Sequence, residues 1–409
     1  MLLCSFLFGA ATALGAPLAA PNDGVATPSL FALRVGKAET VSHGTIENAV
    51  ILIEDGKIVL IGEDLPIESG IPVFDHPDAV VMPSYVGCRS RMGLDGRAGT
   101  ELNPELTAAF EFQPGHPQFA AALEAGVTTL GLYPAGGGVP GVGIAIRTKG
   151  ASLSDMLLVE PTYLSIYIAS NEGAKKLVAK GFELVDKYME QVEKEREKFK
   201  KDVEKEKDKK KQEEMVFVPP VPDEKTLPLL RMVTGDLRAV IGIRKASDYL
   251  HLMDVLGERS FDWDLQVALQ DDGDLFYVAD RLGKDGRRII CNPNITLHPG
   301  TRRERNVPKE LHEIGCKIAF TPLNDSPAGY ENLRSDLATL VAYGLDRQVA
   351  LRAVTLEPAL VLGLGARLGS LEAGKDANLL VFGGDPLEPG TELLGVMLEG
   401  DFVAGDLAE

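Results

Sequence analysis

The chain has 409 residues, 45% of them hydrophobic, and a formal net charge of −18 at pH 7. Its length and apolar share support one large core or two moderate ones and exclude a disordered chain. The acidic balance disfavours nucleic acid and anionic membrane surfaces, so small molecules and other proteins are the partners to expect.

At the N-terminus an apolar run from Met1 through Leu7 and Phe8 ends in small residues near Ala16 and Ala20. Residues 1–20 read as a signal peptide, although the run lacks a basic start, and an exported protein, periplasmic or extracellular, is expected. The run breaks at Pro17, too early for a membrane span, and no other segment of the sequence suggests a stable one. Cys88, Cys291 and Cys316 are an odd number with no C-x-x-C spacing, so neither a disulfide framework nor a thiolate zinc site is predicted. They read as small buried hydrophobes.

From Ser29 to Met82 short β-rich runs alternate with turns. Phe31–Val35, Ala49–Ile53 and Ile58–Gly62 are predicted strands, and Asp55-Gly56 between the last two is a hairpin signal, because a type I′ turn needs positive φ at both central residues. From Val80 onward strand-like runs alternate with helical patterns: Val127–Leu132, Tyr163–Ile168, Ala239–Ile243, Leu265–Leu269, Arg288–Cys291 and Lys317–Phe320. Several are apolar on both faces, as parallel strands buried on both sides must be, and the alternation predicts an α/β protein built as a (β/α)8 TIM-type barrel. Gly136–Gly143 has no following Lys-Ser or Lys-Thr, which rules out a Walker loop, and it reads as a loop near the mouth of the barrel.

Between Asp186 and Glu214 there are 11 acidic and 11 basic side chains. Pairs such as Glu190/Lys194, Glu197/Lys201 and Glu206/Lys210 lie four apart in the favourable order, which predicts an exposed helix that stops before Pro219-Pro220. After Arg367 the pattern returns to strands, at Leu379–Phe382 and Leu393–Leu398. Residues 25–82 and 367–409 are therefore expected to form one composite β-sandwich domain. Residues 83–366 would form the barrel, with the charged helical insertion at about 182–215.

The stretch Ala353-Val354-Thr355-Leu356-Glu357-Pro358-Ala359, followed by Arg367 to Asn378 and by Gly384-Asp385-Pro386-Leu387, is similar to the barrel-closing helix and hairpin of the amidohydrolase superfamily. Glu124-Ala125-Gly126-Val127-Thr128-Thr129 adds to the likeness, and the chain from Phe31 to Val403 resembles the imidazolonepropionase-like and cyclic-dipeptidase-like branch. The resemblance implies zinc held by two histidines after the first barrel strand, one after the fifth and one after the sixth, with an aspartate after the eighth taking the proton of the metal-bound water.

Matched position by position, Arg89 and Arg91 replace the first histidine pair, and Gly242 and Arg244 stand at the fifth strand. Gln270 or Asp271 falls at the sixth, and the eighth-strand aspartate falls near Leu323, with Asn324 and Asp325 one and two places on. At an effective dielectric of about 20, a guanidinium some 4 Å from a dication repels it by roughly several kcal/mol, so no zinc or other cofactor is expected. The six histidines form no metal-binding grouping.

The favoured expectation is a protein that has lost metal-dependent catalysis, with Arg89, Arg91 and Arg244 converging on a small anionic ligand or partner in the former active-site mouth. A blander reading has the same arginines neutralising Asp271 and Asp325. One alternative is a hydrolase of non-peptide carbon–nitrogen bonds or small cyclic or dipeptide substrates, with Asp271 or Asp325 as general base and the arginines as an oxyanion clamp. A second is a regulatory or structural subunit, a homo-oligomer or the partner of a related active amidohydrolase.

Overall fold

The computed structural model describes residues 28–96, 99–168, 172–271, 273–388 and 390–408. The expected signal peptide and Cys4 lie outside the described residues. No helix among the described residues is long and apolar enough to cross a membrane.

Both ends of the chain meet in one sheet of seven strands, in the order Asp401–Ala404, Leu393–Leu398, Leu379–Phe382, Val73–Pro83, Leu30–Glu39, Thr45–Glu54, Lys57–Glu63. The sandwich expected of the two ends is thus a single hydrogen-bonded sheet. The Asp55-Gly56 hairpin turns as the sequence predicts, with φ of 47° and 76°. Alternate residues Phe31, Leu33, Val35, Ile51, Ile53 and Val381 point to one side and form the core of this sheet.

The remaining strands form a four-stranded sheet (Leu157–Val159, Ile144–Arg147, Val127–Leu132, Tyr85–Ser90) and a second seven-stranded sheet (Lys317–Phe320, Arg288–Cys291, Trp263–Val267, Arg238–Ile243, Tyr163–Tyr167, Gly137–Val142, Thr100–Leu102). Tyr85–Ser90 pairs in parallel with Val127–Leu132, and the five strands from Tyr163–Tyr167 to Lys317–Phe320 are parallel to one another. The two sheets are not continuous, but backbone hydrogen bonds link them on both sides. On one side Gly143 N–H donates to Tyr163 O and Thr162 N–H to Gly143 O, both at 2.9 Å; on the other, Val86 N–H reaches Val354 O at 3.0 Å and Phe320 N–H reaches Ala353 O at 2.7 Å. Val86, Cys88, Ala145, Tyr163, Val240, Ile290 and Ala319 pack with the Leu356–Val361 helix in a shared interior.

Two expectations need correction. The glycine-rich stretch is no loop: Gly137–Val142 is a buried strand antiparallel to Tyr163–Tyr167, and Ile144–Arg147 continues it antiparallel to Val127–Leu132. Its glycines allow close backbone approach, since a Cβ on Gly138 would lie 2.5 Å from Glu101 O and one on Gly141 2.3 Å from Leu106 O. The charged helix begins earlier than expected, at Glu172, and runs to Lys205. Its first half buries Ala174, Val178, Gly181, Phe182 and Val185, a helical spacing that anchors it to the body, while the charged half is mostly exposed.

Of the three expected ion pairs along this helix, Glu190/Lys194 forms at 3.9 Å. Glu206 and Lys210 fall on either side of a break, where Asp208 caps the short helix Lys209–Glu214. The chain then returns along the arm. Tyr188 Oη donates to Pro220 O at 2.9 Å, and the rings of Phe199 and Phe217 lie 5.6 Å apart.

Candidate functional site

All six residues of the Tyr85–Ser90 strand are buried, so its last turn carries Arg89 into the interior. Arg89 is 7% exposed, and its guanidinium lies 3.7 Å over the Tyr133 ring. Nη1 reaches Ser165 Oγ at only 3.4 Å, and Nε is buried with no hydrogen-bond partner among the described residues. No carboxylate pairs with it within 4.0 Å among the described residues. Arg89 thus forms no direct ion pair with Asp271 or Asp325, although its charge acts on Asp325 across the cavity that both line.

This guanidinium lines a cavity of about 390 Å³ together with Tyr133, Gln266, Asn292, Thr321 and Asp325. Tyr133, Asn292 and Thr321 each follow the last residue of a strand, and Gln266 lies one before the end of its own. The cavity therefore opens at the C-terminal ends of the parallel strands, where such sheets place their ligands. Asn292 fixes one wall: its Oδ1 accepts from Leu269 N–H at 2.7 Å and its Nδ2 donates to Leu269 O at 3.3 Å.

Asp325 is the acid of this cavity. Its Oδ1 accepts from Ser90 Oγ at 2.7 Å and its Oδ2 from Arg91 N–H at 2.6 Å. Burial pushes its pKa up, and the hydrogen bonds from Arg91 N–H and Ser90, with the charges of Arg91 and Arg89, oppose that rise. Of the three positions considered for the eighth-strand aspartate, Asp325 is the one that lines the cavity with an acid, whereas Leu323 at its rim is half exposed. Behind it Tyr330 is buried with Oη unpartnered among the described residues, pressed against Gly87, where a Cβ would come within 2.0 Å of that oxygen.

The other expected residues do not converge. Arg91 turns its side chain away, donating to Tyr133 O at 2.8 Å, Gly96 O at 3.2 Å and Glu111 Oε2 at 3.0 Å. It lies one residue past the end of the strand, where the alternation that would set it on the same face as Arg89 no longer holds, and it serves the site through its backbone N–H. Asp271 lies outside the cavity and accepts from Leu297 N–H at 2.9 Å. Arg244 is exposed and lines a small neighbouring pocket with Arg305 and Phe276.

At the fifth strand, Gly242 has no room for a side chain. A Cβ there would meet Tyr167 Cδ2 at 2.3 Å and Gln266 Oε1 at 3.0 Å. Among the described residues the cavity offers one carboxylate with both oxygens already engaged, neutral amides and hydroxyls, and a guanidinium, which is not a zinc donor set. Among the described residues no three His, Cys, Asp or Glu are grouped to hold a metal ion. The three cysteines are buried and unbridged, and burial pushes the Cys88 thiol up to about 12.

Sequence reasoning missed Tyr133, Gln266, Asn292 and Thr321. Their signal is their place at the ends of strands whose residues the sequence does identify.

A family profile described as the amidohydrolase family matches residues 275–403. The fold is similar to a crystal structure of an amidohydrolase from Thermotoga maritima MSB8, with a TM-score of 0.73 and 21% identity over 91% of this chain and 99% of that one. A β-aspartyl dipeptidase from Fervidobacterium islandicum AW-1, in complex with a β-Asp-Leu dipeptide, is similar with a TM-score of 0.53 and 12% identity over 92% and 97% of the two chains. A curated relative, amidohydrolase tasK of Hapsidospora irregularis, is 45% identical over 93 residues. That stretch is 22% of this chain and 9% of the relative, so the match spans less than a tenth of the longer protein.

An α/β architecture with its cavity at strand ends defines the class of scaffold. The family match makes it more specific for the last third of the chain: residues 275–403 match the amidohydrolase family, and the fold as a whole is similar to that of a solved amidohydrolase.

Proposed function

We propose that this protein is an amidohydrolase-superfamily member without metal-dependent hydrolysis, whose cavity at the strand ends binds a small anion, most simply a carboxylate, on Arg89. The two linked sheets serve as its (β/α)8-type barrel, with the Gly137–Arg147 segment in place of one parallel strand. One observation carries the reading: Arg89 is a buried guanidinium with no counter-charge in ion-pair range among the described residues, and it lines a cavity large enough for a ligand. A buried charge left unpaired is costly, and a bound carboxylate supplies both the opposite charge and the missing acceptors.

Calorimetry and thermal melting with acetate, propionate and inorganic phosphate test it. Saturable binding to the wild-type chain, lost in Arg89→Met, is the expected result. Equal behaviour of the two proteins would overturn it, and so would stoichiometric zinc in protein purified without chelators. A hydrolase of non-peptide carbon–nitrogen bonds is the second reading, favoured by the raised pKa of Asp325, which suits a carboxyl that takes and returns a proton. Turnover of an amide substrate that disappears in Asp325→Asn would promote it.

A further inference from the structure

The large cavity and the small pocket beside it share one wall, Val267 to Gln270, at the end of the Trp263–Val267 strand. Arg89 lines the large cavity, and Arg244 and Arg305 line the small one. In the small one Arg305 is engaged by Glu310, to which Nε donates at 3.1 Å and Nη2 also donates, and its guanidinium lies 5.4 Å from the centre of the Phe276 ring. That leaves Arg244, which has no carboxylate within ion-pair range among the described residues and whose backbone N–H donates to Asp248 Oδ2 at 3.1 Å. The charges of Arg244 and Arg89 both reach the half-buried Tyr167, whose ring packs on Gly242. Two cations with no carboxylate in ion-pair range among the described residues, one in the large cavity and one exposed in the neighbouring pocket, thus flank the same wall in a protein whose net charge is −18. Gln266 Oε1 is buried nearby without a partner among the described residues, and it would accept from an N–H or O–H group.

From this geometry we infer that the ligand is an elongated molecule with a carboxylate at each end, an α,ω-dicarboxylate, one end on Arg89 and the other on Arg244. The inference rests on the anion-binding reading of the Arg89 cavity and adds the second contact. Asp325 in the same cavity disfavours a third negative group.

The test is a matched ladder of succinate, glutarate and adipate against butyrate, valerate and hexanoate, measured by calorimetry on the full chain, on Arg244→Gln and on Arg89→Met. Arg244 is exposed, so its replacement leaves folding intact. In the wild-type chain one dicarboxylate binds roughly three- to fivefold more tightly than the monocarboxylate of equal length, the size of a partly exposed ion pair. Arg244→Gln brings the two to parity and leaves the monocarboxylate unchanged, while Arg89→Met abolishes both. Monocarboxylates binding as well as their partners, or an Arg244→Gln chain that still discriminates, would overturn the inference and leave the anion site standing. No binding by any carboxylate would remove both.

Discussion

A guanidinium held in the interior with no carboxylate in ion-pair range among the described residues raises the energy of the ligand-free protein, and Arg89 is such a group. Arg89→Met keeps most of the side-chain volume and removes the charge, so the ligand-free variant should melt higher than wild type, by about 1 to 3 kcal/mol in stability. A lower melting point would show that the guanidinium has a partner in solution. Asp325 yields a second measurement. Its carboxyl holds its proton more tightly in the folded chain than in the unfolded one, so its contribution to stability is greatest at low pH. That contribution falls as pH rises from the ordinary value of 3.8 through the raised folded value, then stays flat. The stability difference between wild type and Asp325→Asn, followed by urea unfolding, should decline across that window. A difference that rises with pH would contradict the burial effect.

At the scale of elements, the Gly137–Val142 strand depends on residues without side chains. Gly141→Ala places a Cβ 2.3 Å from Leu106 O at a φ of 135°, and should cost about 3 kcal/mol in thermal or denaturant unfolding. The arm behaves oppositely. Its charged half packs mainly against its own returning segment, so replacing residues 194–217 by a short glycine-serine linker should leave carboxylate binding unchanged. What the sequence discloses follows the same physics. Arg288–Cys291 and Lys317–Phe320 are legible to the residue because both faces are apolar. The Val73–Pro83 strand is hidden by Asp75, His76, Pro77 and Asp78, whose half of the strand is largely solvent-facing. The start of the long helix at Glu172 is masked because its anchoring residues, Ala174, Val178 and Phe182, are sparse among lysines. Arg89 is found by position along its strand, whereas Arg244 and Asp271 follow strand ends, where direction is set by contacts that are remote in sequence.

Across the whole molecule, stability and binding sit at opposite ends of the strands. At the N-terminal ends runs a chain of charges, buried at its centre and part-exposed at Arg238 and Arg352: Arg238 to Asp264 at 2.9 Å, Asp264 to Arg288 at 3.0 Å, Arg288 to Glu357 at 2.8 Å, and Glu357 to Arg352 at 2.6 Å. Arg288→Met removes the central cation, and its loss should destabilise the chain by about 3 to 5 kcal/mol in chemical unfolding. Carboxylate affinity should remain, because the cavity lies at the other end. The composite sheet is tied to this body by Arg147 to Glu399 at 2.6 Å and Arg347 to Glu39 at 3.1 Å. The stretch that most resembles the superfamily, Arg367 to Asn378, works in the same tie: Arg367 pairs with Asp376 at 2.7 Å, and Lys375 donates to Gly365 O at 2.7 Å.

The ring of Tyr167 lying where a side chain at position 242 would project sets an order on any attempt to install a metal. Histidines placed at positions 89 and 91 would still face an aromatic plug at the third vertex, and no imidazole can enter there until residue 167 shrinks. The path to such a site is gated by steric sequence as well as by donor chemistry. A designer would have to open that space first, and a double histidine variant made alone should capture no more zinc than its parent.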